Sequence, residues 1–277
     1  MELNFRQKAE FYEQGYTVLR GVVPKIMIDQ ALHEINHSLG EGLPKEEIQT
    51  LRARSYCSEL QGTELFKGLF QATPAWELAE SLVGKGNLMK SGGAQVALRF
   101  PGSNAAMQKP PNLSCHLDGM HSPHNGVPKD GKFHNFTALG VVLLSRLDGP
   151  YQGNFTVWPG THRQFEKFFR EHGPDYLNNE GMPKIDYPEP VMCEGEPGDV
   201  VLTHYMVAHT AAPNHSPHVR YATIYRLNHV RRSAERGGQG GNYPDVMTDI
   251  WKEWDGIREI IPEVETNRRE VKLHPVY

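Results

Sequence analysis

The sequence predicts a mainly β protein with flanking helices, built as a sandwich or barrel, and two observations predict it. From Gly92 onward short β-prone runs alternate with turns rich in proline, glycine and asparagine, whereas the first third of the chain carries helical periodicity. At 277 residues the chain can bury a full core, yet one elaborated domain accounts for it. We divide that domain into a mostly helical part over 1–91, a β core over 92–230, and a glycine-rich link with a C-terminal helix over 231–277.

In chain order, residues 5–15 read as a short helix closed by glycine, and 16–23 (YTVLRGVV) alternate and branch like a strand. A second helix follows Pro24, where Ile28, Leu32, Ile35 and Leu39 recur at helical spacing before Gly40 stops it and Gly42 with Pro44 extends the break. The β runs are 94–100, 137–144, 154–158, 200–204 and 221–228, each bounded by turn residues. Arg236-Gly-Gly-Gln-Gly-Gly241 reads as a flexible link, after which Val246, Ile250, Trp254, Ile257 and Ile261 mark one face of a single terminal helix.

Charge excludes some functions. The 29 basic and 33 acidic side chains nearly cancel, and no basic block is long enough to attract nucleic acid or an anionic bilayer. The N-terminal MELNFRQKAEFYEQGY has no apolar signal-like core, and the longest apolar run, 138–144, is far too short to span a bilayer. The expectation is a cytoplasmic protein acting on a small molecule. Three well-separated cysteines, Cys57, Cys115 and Cys193, suit a reducing compartment, in which the Asn-x-Ser/Thr matches at Asn112, Asn135 and Asn154 are chance sequons.

The densest chemistry lies in SCHLDGMHSPH, residues 114–124, with three histidines and one aspartate. Residues i and i+2 of a strand share a face, so His116 and Asp118 can aim an imidazole and a carboxylate at one point while Leu117 points away. Fourteen histidines and ten aspartates predict about half a His-x-Asp match by chance, so the pair needs support. It comes from EPGDVVLTHYMVAHTAAPN, residues 196–214, where a Pro-Gly-Asp turn launches an apolar strand and His209 lies just past its end. Arg220 follows eleven residues later at the start of another β run. Two histidines and one carboxylate suit a borderline ion such as Fe(II) and leave three coordination positions open. A planar guanidinium beside them suits bidentate capture of the far end of a dicarboxylate.

These segments together resemble the phytanoyl-CoA dioxygenase-like branch of the Fe(II)/2-oxoglutarate oxygenases. The resemblance runs through YEQGYTVLRGVVP at 12–24, CHLDG at 115–119, GNFTVWPGTHR at 153–163, EPGDVVLTH at 196–204 and the AHTAAPN…R close ending at Arg220. It implies a double-stranded β-helix (jelly roll, cupin-like) core that holds iron through His116, Asp118 and His209, with Arg220 gripping the C5 carboxylate of 2-oxoglutarate. It further implies consumption of O2, release of succinate and CO2, stimulation by ascorbate, and hydroxylation of an unactivated C–H bond. His209 is preferred to His204 on the family pattern and on its spacing to Arg220. Ala222 departs from relatives that place a hydroxyl two residues after the arginine, so Gln95 or Arg99 on the preceding strand is assigned the second co-substrate contact. Halogenating relatives replace the metal carboxylate with glycine or alanine; Asp118 therefore argues for hydroxylation.

Other readings stand beside this one. A zinc or iron isomerase, lyase or hydrolase on a β-barrel would share the two histidines and the carboxylate, but would have no use for Arg220. A non-catalytic binding module would be expected to lose a ligand. The two His-Ser-Pro-His stretches, 121–124 and 215–218, read as turns, His162 as a structural hydrogen-bonder and Trp158 as core. Segments 120–134 and 170–190 are candidate lids, and Lys129, Lys132 and His134 in the first suit a small polar or anionic metabolite over an acyl-CoA.

Overall fold

The computed structural model describes residues 1–42, 56–102, 113–121, 127–232 and 242–273. The first helix, α1 (Phe5–Gln14), opens on a reciprocal cap between Asn4 and Gln7 and is stopped by Gly15 in the left-handed region. Strand β1 (Tyr16–Leu19) follows; it ends earlier than the sequence suggests because Gly21 turns the chain at positive φ. Helix α2 (Lys25–Gly40) starts after Pro24 and buries Ile28, Ala31 and Ile35. Helices α3 (Glu64–Gln71) and α4 (Pro74–Val83) complete the helical part.

The strands are β2 (Leu88–Met89), β3 (Gln95–Arg99), β4 (Ala138–Leu143), β5 (Phe155–Val157), β6 (Val191–Met192), β7 (Val200–His204), β8 (His209–Ala211) and β9 (Arg220–His229). All pairings are antiparallel. A larger sheet runs β1-β7-β4-β9-β2, with β3 also pairing β9, and a smaller one runs β6-β5-β8. Strands distant in sequence lie side by side, as β4 does between β7 and β9, which is the jelly-roll arrangement of a double-stranded β-helix. Helix α3 covers the outer face of the larger sheet. The Phe70 ring lies where a side chain on Gly140 would stand, packs on Tyr225 at 5.2 Å, and the Tyr225 hydroxyl donates to the Phe66 carbonyl. With Tyr225 outward, alternation turns Arg220, Ala222, Ile224 and Arg226 to the inner face. Gln95, Ala97 and Arg99 of β3 lie opposite Ile224, Ala222 and Arg220 and share that face.

Several expectations need correction. The expected single terminal helix is three among the described residues: α7 (Asp245–Thr248), α8 (Asp255–Arg258) and α9 (Ile261–Leu273), with α7 and α8 separated where Asp249 and Trp254 leave helical backbone. Val246, Ile250, Trp254 and Ile257 are nevertheless buried, because Trp251 and Trp254 pack on Phe11 of α1 and each successive turn presents an apolar residue to the same core. The 170–190 segment, a candidate lid, holds the end of α5 (Thr161–His172) and all of α6 (Tyr176–Glu180), with Leu177 in the core. The 236–241 link lies outside the described residues. Asn135 and Asn154 are fully buried, as chance sequons should be, while Asn112 lies outside the described residues. Among the described residues no helix is long and apolar enough to cross a membrane.

Candidate metal centre

His116 and His209 meet as a backbone pair. Each amide donates to the other residue's carbonyl, at 3.0 and 3.1 Å, so the two side chains project from the same face with ring centroids 4.7 Å apart. Leu117 turns into the core at 2% exposure, and Asp118 returns to the histidine face. Asp118 Oδ1 lies 3.5 Å from His116 Nε2 and 3.7 Å from His209 Nε2. Gly119, at φ 91°, then lets the chain turn against the His134 carbonyl, where any side chain would collide with backbone at 2.5 Å.

The histidine tautomer suits a ligand. His209 Nδ1 donates to the Val207 carbonyl at 3.0 Å, which leaves the Nε2 lone pair facing Asp118 and His116. Phe155 backs the His209 ring at 5.4 Å. One ligand atom from each of His116, Asp118 and His209 fits within 4.8 Å of the other two. Exposure grades inward, from 53% for the His116 side chain through 17% for Asp118 to 5% for His209, so the cluster is reached by solvent from the His116 side. Two imidazole nitrogens and one carboxylate oxygen form a donor set that fits Fe(II) or a similar divalent ion.

The other carboxylate oxygen is already occupied. Arg226 donates to Asp118 Oδ2 from Nε at 3.0 Å and from Nη2 at 2.7 Å, and its Nη1 donates to Gln95 Oε1 at 2.9 Å. Burial opposes charge on Asp118, but the Arg226 guanidinium and the two neighbouring histidines outweigh it and hold the carboxyl well below the usual carboxylate range. Sequence reading missed Arg226. The signal for it was present, because Arg226 stands six residues after Arg220 on one strand and an even offset puts both on one face.

Arg220 is different. It is buried, its Nε donates to the Gly153 carbonyl at 2.8 Å, and its Nη1 donates to the Ala97 carbonyl at 2.9 Å, so the guanidinium is fixed between β3 and the chain leading into β5. Among the described residues it has no acidic partner within ion-pair reach. Burial, followed by repulsion from Arg99, draws its pKa down to about 9. Gly153, the first residue of the GNFTVWPGTHR stretch, proves necessary here. Its φ is 80°, and a side chain would come within 2.9 Å of the Arg99 Cβ and 3.1 Å of the Arg220 Cβ. The smaller sheet therefore approaches the two arginines with bare backbone. A buried cation with unfilled electrostatic need is a binding place for an anion. Ala222 lies between Arg220 and Ile224 on this face and offers no hydroxyl.

The rival ligand His204 is fully engaged elsewhere. Its Nε2 donates to the Ile250 carbonyl at 2.9 Å, its Nδ1 accepts from the Met206 amide at 3.0 Å, and it stacks on Trp254. His162 is buried with Nε2 against the Tyr12 carbonyl, a structural position, and Trp158 is core. His121 is exposed and bonded to the Val127 carbonyl, His134 pairs with Asp130, Lys129 is exposed, and His124 lies outside the described residues.

The sequence pattern of the family described as phytanoyl-CoA dioxygenase (PhyH) matches residues 11–222. No curated protein sequence matches the chain. Among solved structures, the non-heme alpha-ketoglutarate-dependent epimerase SnoN from nogalamycin biosynthesis is 20% identical, with 79% of each chain covered and a TM-score of 0.50. HygX from Streptomyces hygroscopicus, with nickel and 2-oxoglutarate bound, is 18% identical over 82% of this chain and 87% of its own, at a TM-score of 0.52. EctD from S. alaskensis with bound iron is 17% identical over 82% of this chain and 76% of its own, again at 0.52. The likeness to these structures is one of fold.

Proposed function

The chain belongs to the phytanoyl-CoA dioxygenase (PhyH) family, and on that premise we propose that it is an Fe(II)- and 2-oxoglutarate-dependent dioxygenase hydroxylating an unactivated C–H bond of a small-molecule substrate. In this reading residues 1–277 act as a single oxygenase domain. His116, Asp118 and His209 would hold the iron, and Arg220 would bind the C5 carboxylate of 2-oxoglutarate. Arg99, directly opposite Arg220, or Gln95, further along β3, would supply a second contact. The bound metal and co-substrate supply the activation of O2, coupled to decarboxylation of 2-oxoglutarate to succinate and CO2.

The chain's own contribution is binding and orientation. Arg220 is held by two backbone carbonyls, so its fork is fixed before an anion arrives and little side-chain entropy remains to be lost. Val207 holds His209 in the ligating tautomer. Phe155 packs on the buried His209 at the inner side of the cluster, and the half-exposed His116 marks the side open to substrate. The substrate proposed is a small polar metabolite in preference to an acyl-CoA, on Lys129, Lys132 and His134 in the 120–134 segment that follows the metal-binding stretch. Asp118 keeps the carboxylate that favours oxygen transfer to carbon over halogenation.

The observation that carries the proposal is that a His/Asp/His donor set beside the smaller sheet meets the inner face of β9, which also carries a buried arginine with no acidic partner among the described residues. A zinc isomerase, lyase or hydrolase has no call for that arginine. The fold likeness to HygX, described with 2-oxoglutarate bound, adds support. The test is succinate formation from 2-oxoglutarate by the purified protein with Fe(II), O2 and ascorbate. Iron-dependent succinate is expected, while zinc-dependent turnover needing no 2-oxoglutarate would overturn the proposal.

A further inference from the structure

We infer that Arg226 is a positioning residue that restricts Asp118 to a single ligating oxygen and thereby keeps coordination positions free for the co-substrate. The inference rests on the functional reading above and deepens it. Its basis is the unequal treatment of the two carboxylate oxygens. Arg226 sends both Nε and Nη2 to Oδ2, whereas Oδ1 receives nothing from it and faces the Nε2 atoms of His116 and His209. A guanidinium meeting a carboxylate commonly engages both oxygens in parallel. Here it converges on one and leaves the other to the histidines.

The consequence follows from counting positions. Two imidazoles and one carboxylate oxygen occupy three of six octahedral positions, and the remaining three suffice for a bidentate 2-oxo acid and O2. A carboxylate free to turn can chelate with both oxygens, as carboxylates do around other divalent ions, and would consume one of those three. Arg226 opposes this by holding Oδ2. Its charge also offsets that of Asp118, so the metal keeps more of its attraction for a dianion.

Arg226 is itself fixed. Its third nitrogen, Nη1, is held by Gln95 Oε1, and the guanidinium carbon lies 5.9 Å from the centre of the Phe136 ring. All three guanidinium nitrogens are therefore assigned, two to Asp118 and one to Gln95. Gln95 supports the metal carboxylate through Arg226 in this arrangement.

The experiment loads the full chain with Mn(II) and counts exchangeable metal-bound waters by water-proton relaxation, then titrates 2-oxoglutarate against the same signal. The variants are Arg226→Gln, Arg226→Lys and Gln95→Leu, with Arg220→Ala as control. Wild type is expected to show three exchangeable waters. Arg226→Gln should show about two, with Mn(II) bound as tightly as in wild type or tighter, and 2-oxoglutarate bound about tenfold more weakly. Arg226→Lys should recover part of both effects, and Gln95→Leu should move in the same direction by less. Arg220→Ala should weaken 2-oxoglutarate binding while keeping three waters. Three waters and wild-type 2-oxoglutarate affinity in Arg226→Gln, or in Gln95→Leu and Arg226→Lys should the glutamine variant not fold, would overturn the inference while leaving the functional reading intact. A loss of Mn(II) affinity at an unchanged water count would also overturn it, since Arg226 would then only be holding the barrel together. A wild-type protein that binds Mn(II) but no 2-oxoglutarate would remove the functional reading, and this inference with it.

Discussion

Two pairs of histidines lie on either side of the turn between β7 and β8, and they could hardly be used more differently. His204 and His162 sit with ring centroids 5.6 Å apart, close to the 4.7 Å of His116 and His209. The first pair is shut inside Trp251 and Trp254, and both nitrogens of His204 are consumed by backbone groups. The second pair has only one described backbone partner, Val207, whose bond to His209 Nδ1 aims Nε2 at a carboxylate. Proximity of imidazoles therefore does not make a metal centre. What makes one is which nitrogens the backbone leaves free and whether a carboxylate shares the point at which they aim.

The largest effect should come from breaking the open pair. His209→Ala or Asp118→Ala should lower metal affinity by at least about a hundredfold, because replacing even an outer partner of a ligand costs roughly ten- to a hundredfold. Isothermal titration with Mn(II) checks this. Arg220→Ala should leave metal content intact but cost on the order of 2 to 4 kcal/mol in 2-oxoglutarate binding, with only partial recovery in Arg220→Lys. Metal analysis beside the 2-oxoglutarate dependence of succinate formation separates the two effects. A wild-type co-substrate constant in both variants would remove Arg220 as the anchor.

The closed pair should respond in stability and not in metal binding. His204→Ala leaves the Met206 amide and the Ile250 carbonyl without partners and opens a cavity under Trp254, at a cost of about 2 to 4 kcal/mol, with Mn(II) affinity retained. The comparison would be wrong if Mn(II) binding fell instead.

The most gradual effect is a pH slope. Burial, against the opposing Ile250 hydrogen bond and Glu253 and with help from Arg232, depresses the His204 pKa to about 4; burial and the nearby His204 push His162 down as well. Both are neutral in the folded protein, so the unfolded chain binds more protons below its ordinary histidine pKa of about 6.5. The stability contribution is thus complete above about pH 6.5 and is lost as the pH falls toward 4, by on the order of 3 kcal/mol for His204. Urea midpoints across that window should fall with pH, and His204→Gln should flatten the slope.

Much of this was legible in the sequence, for local reasons. His116 and Asp118 are two residues apart, so strand periodicity alone predicts their shared face, and the apolar stretch 200–204 is the observed β7. Arg220 stood out by residue type and spacing. What escaped depended on contacts between distant segments. β6 and β8, at two and three residues, are too short to show a period, and Arg226 gains meaning only once β9 lies beneath the 116–118 stretch. Gly153 resembled any hairpin glycine until two arginines packed against it. The terminal helix was misread because three short helices can present apolar residues at nearly the intervals of one long helix.

The central claim, that the open histidine pair and Arg220 together bind a metal-chelating 2-oxo acid, is tested most directly by anaerobic titration of the Fe(II)-loaded protein with 2-oxoglutarate, read in the visible spectrum. Chelation of Fe(II) by a 2-oxo acid produces a charge-transfer band that neither partner has alone. The band should saturate in wild type and in His204→Ala, require far more 2-oxoglutarate in Arg220→Ala, and be absent in His209→Ala. An iron-loaded wild type that develops no band at high 2-oxoglutarate, or a band that survives in His209→Ala and vanishes in His204→Ala, would contradict it.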